Sequence, residues 1–417
     1  MAVLRPPGRA PLRILTAVPL CDGHDSAVVT INLELARHGT EVIYLGYHQA
    51  ASAIARAAAQ EDVHAVGLSS YNGGHRVFFR EVIAQLRLRG AGDIPIFGGG
   101  GGTITAADER VMRRAGVDRI FFAGTPLPEI VASIGRDYRR PLKRDAKLAG
   151  DRALARAITL IECRAGSPDP AVRVARTVRM PAGSGDPALH RHRCLVVGVA
   201  GPGGAGKSTL IDELTSRFLR AHPGRRLAIL ANDPSHPDSG GAILGDRVSS
   251  IYAQDDRVFF RSLATRGHLT GLSAAAPAAI ETLRRSGEFD LIFVESIGIG
   301  QEGDPFGTFG AGPKWVDAVL FVLAPHYGGR IQLQKIALLN GADLVALNKC
   351  DDPRATTAKA ELAARLAGVG KQPPLFATVA AHHEDLGVHR LYAAIAELAG
   401  FSDETGGEKP CQLQVLG

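Results

Sequence analysis

Two doubly wound parallel sheets in tandem, an α/β architecture, are what this sequence predicts, and three observations carry the prediction. Short apolar runs alternate with helical-period segments over residues 12–122 and again over 194–400. A basic, turn-rich stretch separates the two alternations. At 417 residues the chain is too long for one ordinary core.

In the first alternation the runs at 12–18, 41–45, 63–69, 94–97 and 119–122 read as strands, giving a flavodoxin-like five-stranded domain over 12–135. Val28, Ile31, Leu35 and Ala36 fall at helical spacing and would cover one face of that sheet. Ligands of such a fold sit beyond the C-terminal ends of its strands. Residues 136–193 hold 14 Lys/Arg against 6 Asp/Glu and carry clusters such as Pro181-Ala-Gly-Ser-Gly-Asp-Pro187, so they read as a basic, partly helical linker. The second alternation has runs at 194–200, 227–231, 291–295, 318–323, 344–348 and 375–379, a mainly parallel sheet in a domain over 194–400. Residues 401–417 read as a tail.

The bulk numbers exclude several classes. With 45% hydrophobic and 22% charged residues the composition is that of a globular protein. No apolar run reaches the roughly 18 residues that cross a bilayer, so no membrane association and a cytoplasmic location are expected. The five cysteines, Cys21, Cys163, Cys194, Cys350 and Cys411, form no Cys-x-x-Cys pair, which argues against a disulfide framework or a zinc site. The net charge of +6 resides in the linker, and with no aromatic ladder or zinc-finger spacing no nucleic-acid partner is expected.

Gly201-Pro-Gly-Gly-Ala-Gly-Lys-Ser208 follows an apolar strand and precedes a helical segment, the context of a phosphate-binding loop. Gly201, Gly203, Gly204, Ala205 and Gly206 would turn backbone N–H groups onto phosphates, with Thr209 in the first turn of the helix behind them. Lys207 would neutralise β- and γ-oxygens, and Ser208 would ligate magnesium. Asn348-Lys349-Cys-Asp351 closes a later strand in the Asn-Lys-x-Asp pattern of guanine recognition. The Asp351 carboxylate can accept from guanine N1–H and the exocyclic amine, whereas adenine leaves that charge unpaired, so GTP is expected over ATP.

Glu295-Ser-Ile-Gly298 ends another strand, where Glu295 would hold magnesium through water and Gly298 N–H would approach the γ-phosphate. Asp233 and Asp246 are further acids in loops. Arg261 and Arg266 read as phosphate or interface groups, or as ion-pairing residues of a helix.

The ordered segments Gly201–Thr209, Asn232-Asp-Pro-Ser235, Gly240-Gly-Ala-Ile-Leu-Gly-Asp-Arg247, Arg261-Ser-Leu-Ala-Thr-Arg-Gly-His268 and Val294-Glu-Ser-Ile-Gly-Ile-Gly-Gln301 resemble the G-protein chaperones of cobalamin-dependent acyl-CoA mutases. That resemblance implies a P-loop GTPase domain in which Lys207 and Glu295 serve catalysis. Ser208, Asp233, Asp246 and Glu295 would then form the magnesium and switch environment. Gln301 stands six residues past Glu295, away from the glycine of the motif.

Asp22-Gly-His-Asp-Ser-Ala27 after the first strand, Ser69-Ser-Tyr-Asn-Gly-Gly74 after the third and the run Gly98 to Gly102 after the fourth resemble the cobalamin-binding domain of the same mutases. The resemblance implies His24 as the ligand that binds cobalt from below, Asp22 as its partner, and Ser69, Gly98, Gly99 and Gly100 around the displaced nucleotide tail. A carboxylate on the second imidazole nitrogen would fix the tautomer and strengthen donation. Ala27 and Tyr71 stand where the family has glycine and leucine. The order of the two domains is that of the fused isobutyryl-CoA mutases.

The expected protein is a GTP-hydrolysing, cobalamin-binding component of an adenosylcobalamin-dependent acyl-CoA mutase, with GTP/GDP and Mg²⁺ at one site and adenosylcobalamin at the other. Its expected partners are a barrel-bearing mutase large subunit and, as a homodimer, a second copy of itself. The competing reading is a cobalamin-sensing regulatory G protein with no mutase partner.

Overall fold

The computed structural model describes residues 11–19, 26–71, 73–139, 148–165, 194–268, 271–298, 305–307, 314–327, 337–368 and 372–401. Asp22, His24 and Gln301 lie outside the described residues, as do Cys21 and Cys411. No described helix is long and apolar enough to cross a membrane.

The first sheet contains β1 (Leu12–Ala17), β2 (Thr40–Tyr44), β3 (Ala65–Ser69), β4 (Ile96–Gly99) and β5 (Arg119–Phe121), parallel throughout in the order β5-β4-β3-β1-β2. Every residue of β1 is buried, as a central strand covered on both faces demands. Its Leu15 and Ala17 pack with Ile54, Val66, Phe79 and Ile83 beneath α2 (Ala51–Gln60) and α3 (His75–Leu88). Leu12 and Ile14 pack on the other face with Leu35 of α1 (Ser26–Arg37) and Ile134 of α5 (Leu127–Asp137). Helix α4 (Ala106–Ala115) is fixed at its start by a capping box between Thr105 and Asp108. The chain reverses its winding between β1 and β3, so their C-terminal ends open a crevice.

The second sheet comprises β6 (Leu195–Ala200), β7 (Leu227–Asp233), β9 (Val258–Ala264), β10 (Leu291–Glu295), β11 (Ala318–Leu323), β12 (Leu344–Leu347) and β13 (Leu375–Ala377). Its order is β13-β12-β11-β6-β10-β7-β9, again parallel. The strands are continuous Val/Ile/Leu/Phe runs because α7 (Lys207–Ala221) and α10 (Leu386–Ala399) cover one face and α8 (Ala276–Ser286) and α9 (Ala355–Ala367) the other.

Two strands depart from the sequence expectation. The first domain has six strands rather than five, because β8 (Ala242–Leu244), from the second half of the chain, pairs with the edge of β2. A three-residue strand between Gly241 and Gly245 is too short to show a period. Strand β9 was masked by Arg261-Ser262 at its centre, which interrupts the apolar run. Arg261 therefore lies on a strand and Arg266 in the loop after it, and both are interface groups rather than helix-surface ion pairs.

What buries these charges is a network across the two sheets. Arg13 Nη1 lies 2.7 Å from Glu41 and Nη2 2.7 Å from Glu61. Glu61 also accepts from Ser262 N at 3.1 Å, Ser262 Oγ at 3.1 Å and Arg247 Nη1 at 3.4 Å. Arg261 pairs with Glu162 of α6 (Gly150–Ala165) at 2.5 Å, and Arg266 bridges Glu41 at 2.7 Å and Glu162 at 3.0 Å. The three carboxylates and Arg13 and Arg261 are fully buried side chains. Helix α6 contributes Leu154, Ala155 and Ile158 to the core of the second domain.

Candidate functional site

The phosphate loop joins β6 to α7 at the switch point of the second sheet, where β6 lies between β11 and β10. Gly206 has φ 87°, and a Cβ there would sit 2.4 Å from Asn348 Nδ2, so no side chain fits. Gly203, Gly204 and Thr209 are exposed while Ala205 is buried, so the loop shows its backbone outward and anchors by its alanine. Lys207 is buried, its ammonium donating to the Gly201 and Pro202 carbonyls at 3.2 and 3.3 Å, and burial lowers its pKa. Tyr327 donates from its hydroxyl to Gly203 O at 3.0 Å.

Carboxylates from three segments converge beside this loop. Ser208 Oγ donates to Glu295 Oε1 at 2.7 Å. Burial, then the charge of Asp246, pushes Glu295 up to about 7, and burial with the charges of Asp246 and Glu295 raises Asp233 well above the carboxylate range. Asp246 is raised by burial as well. Asp233 Oδ2 is buried without a hydrogen-bond partner. Among the described residues no three His, Cys, Asp or Glu side chains are close enough to enclose a metal by themselves. An all-oxygen donor set of this kind could hold Mg²⁺, which takes one or two protein oxygens and fills its remaining positions with water and phosphate. Gly298 closes the site: a Cβ there would lie 2.6 Å from Gly203 Cα.

Asn348 works differently from its neighbours. Its side chain is buried and donates from Nδ2 to Ala205 O at 3.0 Å, while Oδ1 accepts from Ala380 N at 3.0 Å and from Thr378 Oγ1 at 3.2 Å. Lys349, at φ 61°, and Asp351 are exposed beyond it. Sequence reasoning missed Thr378 and Ala380, which tie the base loop to the next strand. Their small side chains carry no charge or period that would single them out. Asn232, the first residue of the segment Asn232-Asp-Pro-Ser235, has a structural part of its own. It donates from Nδ2 to Glu295 O at 2.9 Å and accepts from Ser273 N at 2.9 Å, which holds β10 in place.

In the first domain a cavity of about 440 Å³ opens at the crevice between β1 and β3. Ser69, Gly98, Gly99 and Gly100 all line it, as do Ala27 and Tyr71. Packing alone requires two of these glycines. A Cβ on Gly98 would strike the Phe79 ring at 2.4 Å and one on Gly100 would strike Ser70 O at 1.8 Å, so the protein's own packing excludes side chains there.

A phosphate loop, a carboxylate cluster around its serine and an Asn-Lys-x-Asp turn on one sheet define a P-loop GTPase-type domain, here fused to a doubly wound ligand-binding domain. The chain belongs to the methylmalonyl Co-A mutase-associated GTPase MeaB family, whose model matches residues 154–414, and residues 12–131 match the B12 binding domain. It is 36% identical over 417 residues to the fused isobutyryl-CoA mutase of Cupriavidus metallidurans, covering 94% of this chain and 36% of that one. The fused isobutyryl-CoA mutase of Nocardia farcinica is 37% identical over 412 residues, with the same coverage of 94% and 36%. The mitochondrial methylmalonic aciduria type A homolog of Mus musculus is 36% identical over 156 residues, 37% of this chain and 35% of that one. The chain thus spans 36% of the length of these fused mutases.

Proposed function

We propose that this protein hydrolyses GTP in order to load or guard adenosylcobalamin for an acyl-CoA mutase whose substrate barrel is supplied by a large subunit. The observation that carries the reading is β8. The segment that begins at Asp233 and ends at Asp246, two carboxylates of the nucleotide site, runs through the cobalamin domain's sheet as its edge strand. Any shift of those acids on hydrolysis therefore pulls on the domain that holds the cofactor.

At the nucleotide site the loop's N–H groups and Lys207 bind the triphosphate, and Asp351 selects guanine. Ser208, with Glu295 through water and Asp233 and Asp246 around it, would hold Mg²⁺, which would neutralise the β- and γ-oxygens. Water adds to the γ-phosphorus and the bond to the β–γ bridging oxygen breaks. GDP and inorganic phosphate leave, with a proton released to solvent. Catalysis is positioning and electrostatics, the range of a slow switch.

At the second site the apolar cavity of about 440 Å³ suits a nucleotide tail. By motif, His24 would bind the cobalt and Asp22 would hold the second nitrogen of its ring. Bound adenosylcobalamin would supply a homolysable cobalt–carbon bond. The chain's part is to orient the corrin and keep water from it.

The test is turnover of GTP, ATP and xanthosine triphosphate by wild type and Asp351→Asn, with isobutyryl-CoA and methylmalonyl-CoA rearrangement assayed with and without a mutase large subunit. GTP preference, a shift of the variant towards the xanthine nucleotide and rearrangement only with the large subunit are expected. Equal use of ATP by the wild type overturns the nucleotide reading. Cobalamin and GTP binding with no large-subunit contact would overturn the mutase reading.

A further inference from the structure

The helix that follows the phosphate loop carries a buried carboxylate that phosphate binding does not explain. Asp212 stands one turn beyond Ser208 on α7 and is 5% exposed. Its Oδ1 accepts from Ser250 Oγ at 2.9 Å and from Tyr252 N at 3.1 Å, and its Oδ2 accepts from Ile251 N at 3.1 Å. All three donors belong to the segment that leaves the helical turn Asp246–Ser249. Burial raises the pKa of Asp212 despite these bonds.

Asp246, at the start of that turn, lies close enough for its charge to act on Lys207, Asp233 and Glu295. The large apolar side chains between Arg247 and Tyr252, those of Val248 and Ile251, are exposed and do not anchor the segment. Polar contacts do so on two sides. Arg247 ties it to the first domain through Gln60 Oε1 at 2.7 Å and Glu61 Oε1 at 3.4 Å, and Asp212 ties it to α7. Burying a carboxylate costs free energy, and three bonds to one segment offset that cost by fixing the segment's place.

We propose that Asp212 is a positioning residue of the divalent-cation site: it fixes the segment carrying Asp246 to the helix carrying Ser208, and so sets the separation of those two oxygen groups. This rests on the reading of Ser208 and Asp246 as groups around Mg²⁺ and adds the residue that holds them in register. Asp212 touches neither nucleotide nor cation and acts through Asp246. Its loss leaves the phosphate loop and the base turn intact but lets Asp246 drift from Ser208, so the cation is held less tightly while nucleotide binding without the cation is spared.

The experiment is Mg²⁺ titration of the full chain loaded with a fluorescent GDP, read as nucleotide release, together with Mn²⁺ binding to the GDP-bound protein by electron paramagnetic resonance. Wild type, Asp212→Ala, Ser250→Ala, Asp246→Ala and the double variant Asp212→Ala/Asp246→Ala are compared, with melting temperature and GDP affinity in EDTA recorded for each. Asp212→Ala should raise the half-saturating Mg²⁺ and weaken Mn²⁺ on the order of tenfold, the scale of losing a group that orients a metal's surroundings. Its GDP affinity in EDTA and its GTP turnover at saturating Mg²⁺ should stay within about twofold of wild type. Ser250→Ala, which removes one bond of three, should shift metal affinity the same way by about threefold, and it carries the test alone where Asp212→Ala does not fold. The double variant should bind metal no more weakly than Asp246→Ala, because one residue acts through the other. Additive losses in the double variant, an unshifted Ser250→Ala, or a GDP affinity in EDTA that falls as far as the metal affinity overturns the role of Asp212 and leaves Asp246 at the site. Metal affinity unchanged in Asp246→Ala overturns the reading of Asp246 itself and this inference with it.

Discussion

Val42 and Ile243 are register partners in one parallel sheet although Val42 belongs to the cobalamin-type domain and Ile243 to the nucleotide domain. Strand β8 hides the β2 edge that would otherwise expose a row of unpaired N–H and C=O groups. It ends at Leu244, two residues before Asp246, and Arg247 next to it reaches Gln60 at 2.7 Å and Glu61 at 3.4 Å beneath β2. Backbone pairing and buried charge thus join the two domains at the same place.

Glu61 is the carboxylate on which that junction depends. Removing it leaves Arg13 and Arg247 facing each other without the shared anion, and breaking a buried pair by deleting one partner costs about 3–5 kcal/mol. Glu61→Ala should show this loss in urea unfolding, together with earlier proteolysis between the domains. Denaturation within about 0.5 kcal/mol of wild type would mean that water already satisfies these arginines.

Acid should weaken the first domain through His64. Its Nδ1 accepts from Arg13 N at 3.1 Å, and burial, outweighing the opposite pull of Asp62, pushes its pKa down to about 4. Between the unfolded value of 6.5 and about 4 the unfolded chain takes up a proton that the folded chain refuses. Stability is therefore whole above 6.5 and falls with decreasing pH by about 1.4 kcal/mol per unit across that window. Glu295, raised to about 7, acts with the opposite sign, since the folded state holds the extra proton there. The difference between wild type and His64→Asn, which keeps an acceptor, isolates the histidine slope. Parallel pH profiles for the two proteins would remove it.

Asn348 should matter more to the phosphates than to the base. Asn348→Ala strands Ala205 O and Ala380 N in a buried place and frees the loop ahead of Lys207. GDP affinity should fall about 10- to 100-fold, on the order of 1.5–3 kcal/mol, and the preference for guanine over xanthine nucleotides should persist because Asp351 is untouched. A loss of that preference would place base selection on Asn348 instead.

The two parallel sheets were legible because parallel strands buried on both faces read as apolar runs, and the phosphate loop because its residue types are set by backbone approach. Ser69, Gly98, Gly99 and Gly100 line one cavity as their positions after successive strands implied. The junction was not legible. Arg13, Glu41, Glu61 and Arg261 look like surface charges in a one-dimensional reading, since only their mutual distance makes burial tolerable. Asn32, buried on α1 with its Oδ1 accepting from Thr16 Oγ1 at 3.0 Å, was hidden for a related reason. One polar residue on an amphipathic helix carries no signal until its neighbours show that it faces inward.

Strand β8 can be broken by a single substitution. Proline at position 243 removes an N–H from a three-residue strand and fixes its φ, and with glycine on both flanks at 241 and 245 the remaining residues have little to hold them in register. The phosphate loop, Glu295 and the Asn348 turn lie on other segments, so Ile243→Pro should still bind and hydrolyse GTP, with any loss of rate traceable to Asp246 three residues on. Hydrogen exchange of residues 40–44 reports the consequence. In wild type, exchange there should differ between the GDP-bound state and a non-hydrolysable GTP analogue with Mg²⁺, because Asp233 and Asp246 rearrange around the cation and β8 carries the movement to β2. In Ile243→Pro the segment should exchange fast and identically in both states. A wild type whose β2 exchange is blind to the nucleotide would show that β8 is a structural clasp and nothing more. A variant that retains the full nucleotide difference would place the coupling in the Glu61 network, where Glu61→Ala would then abolish it.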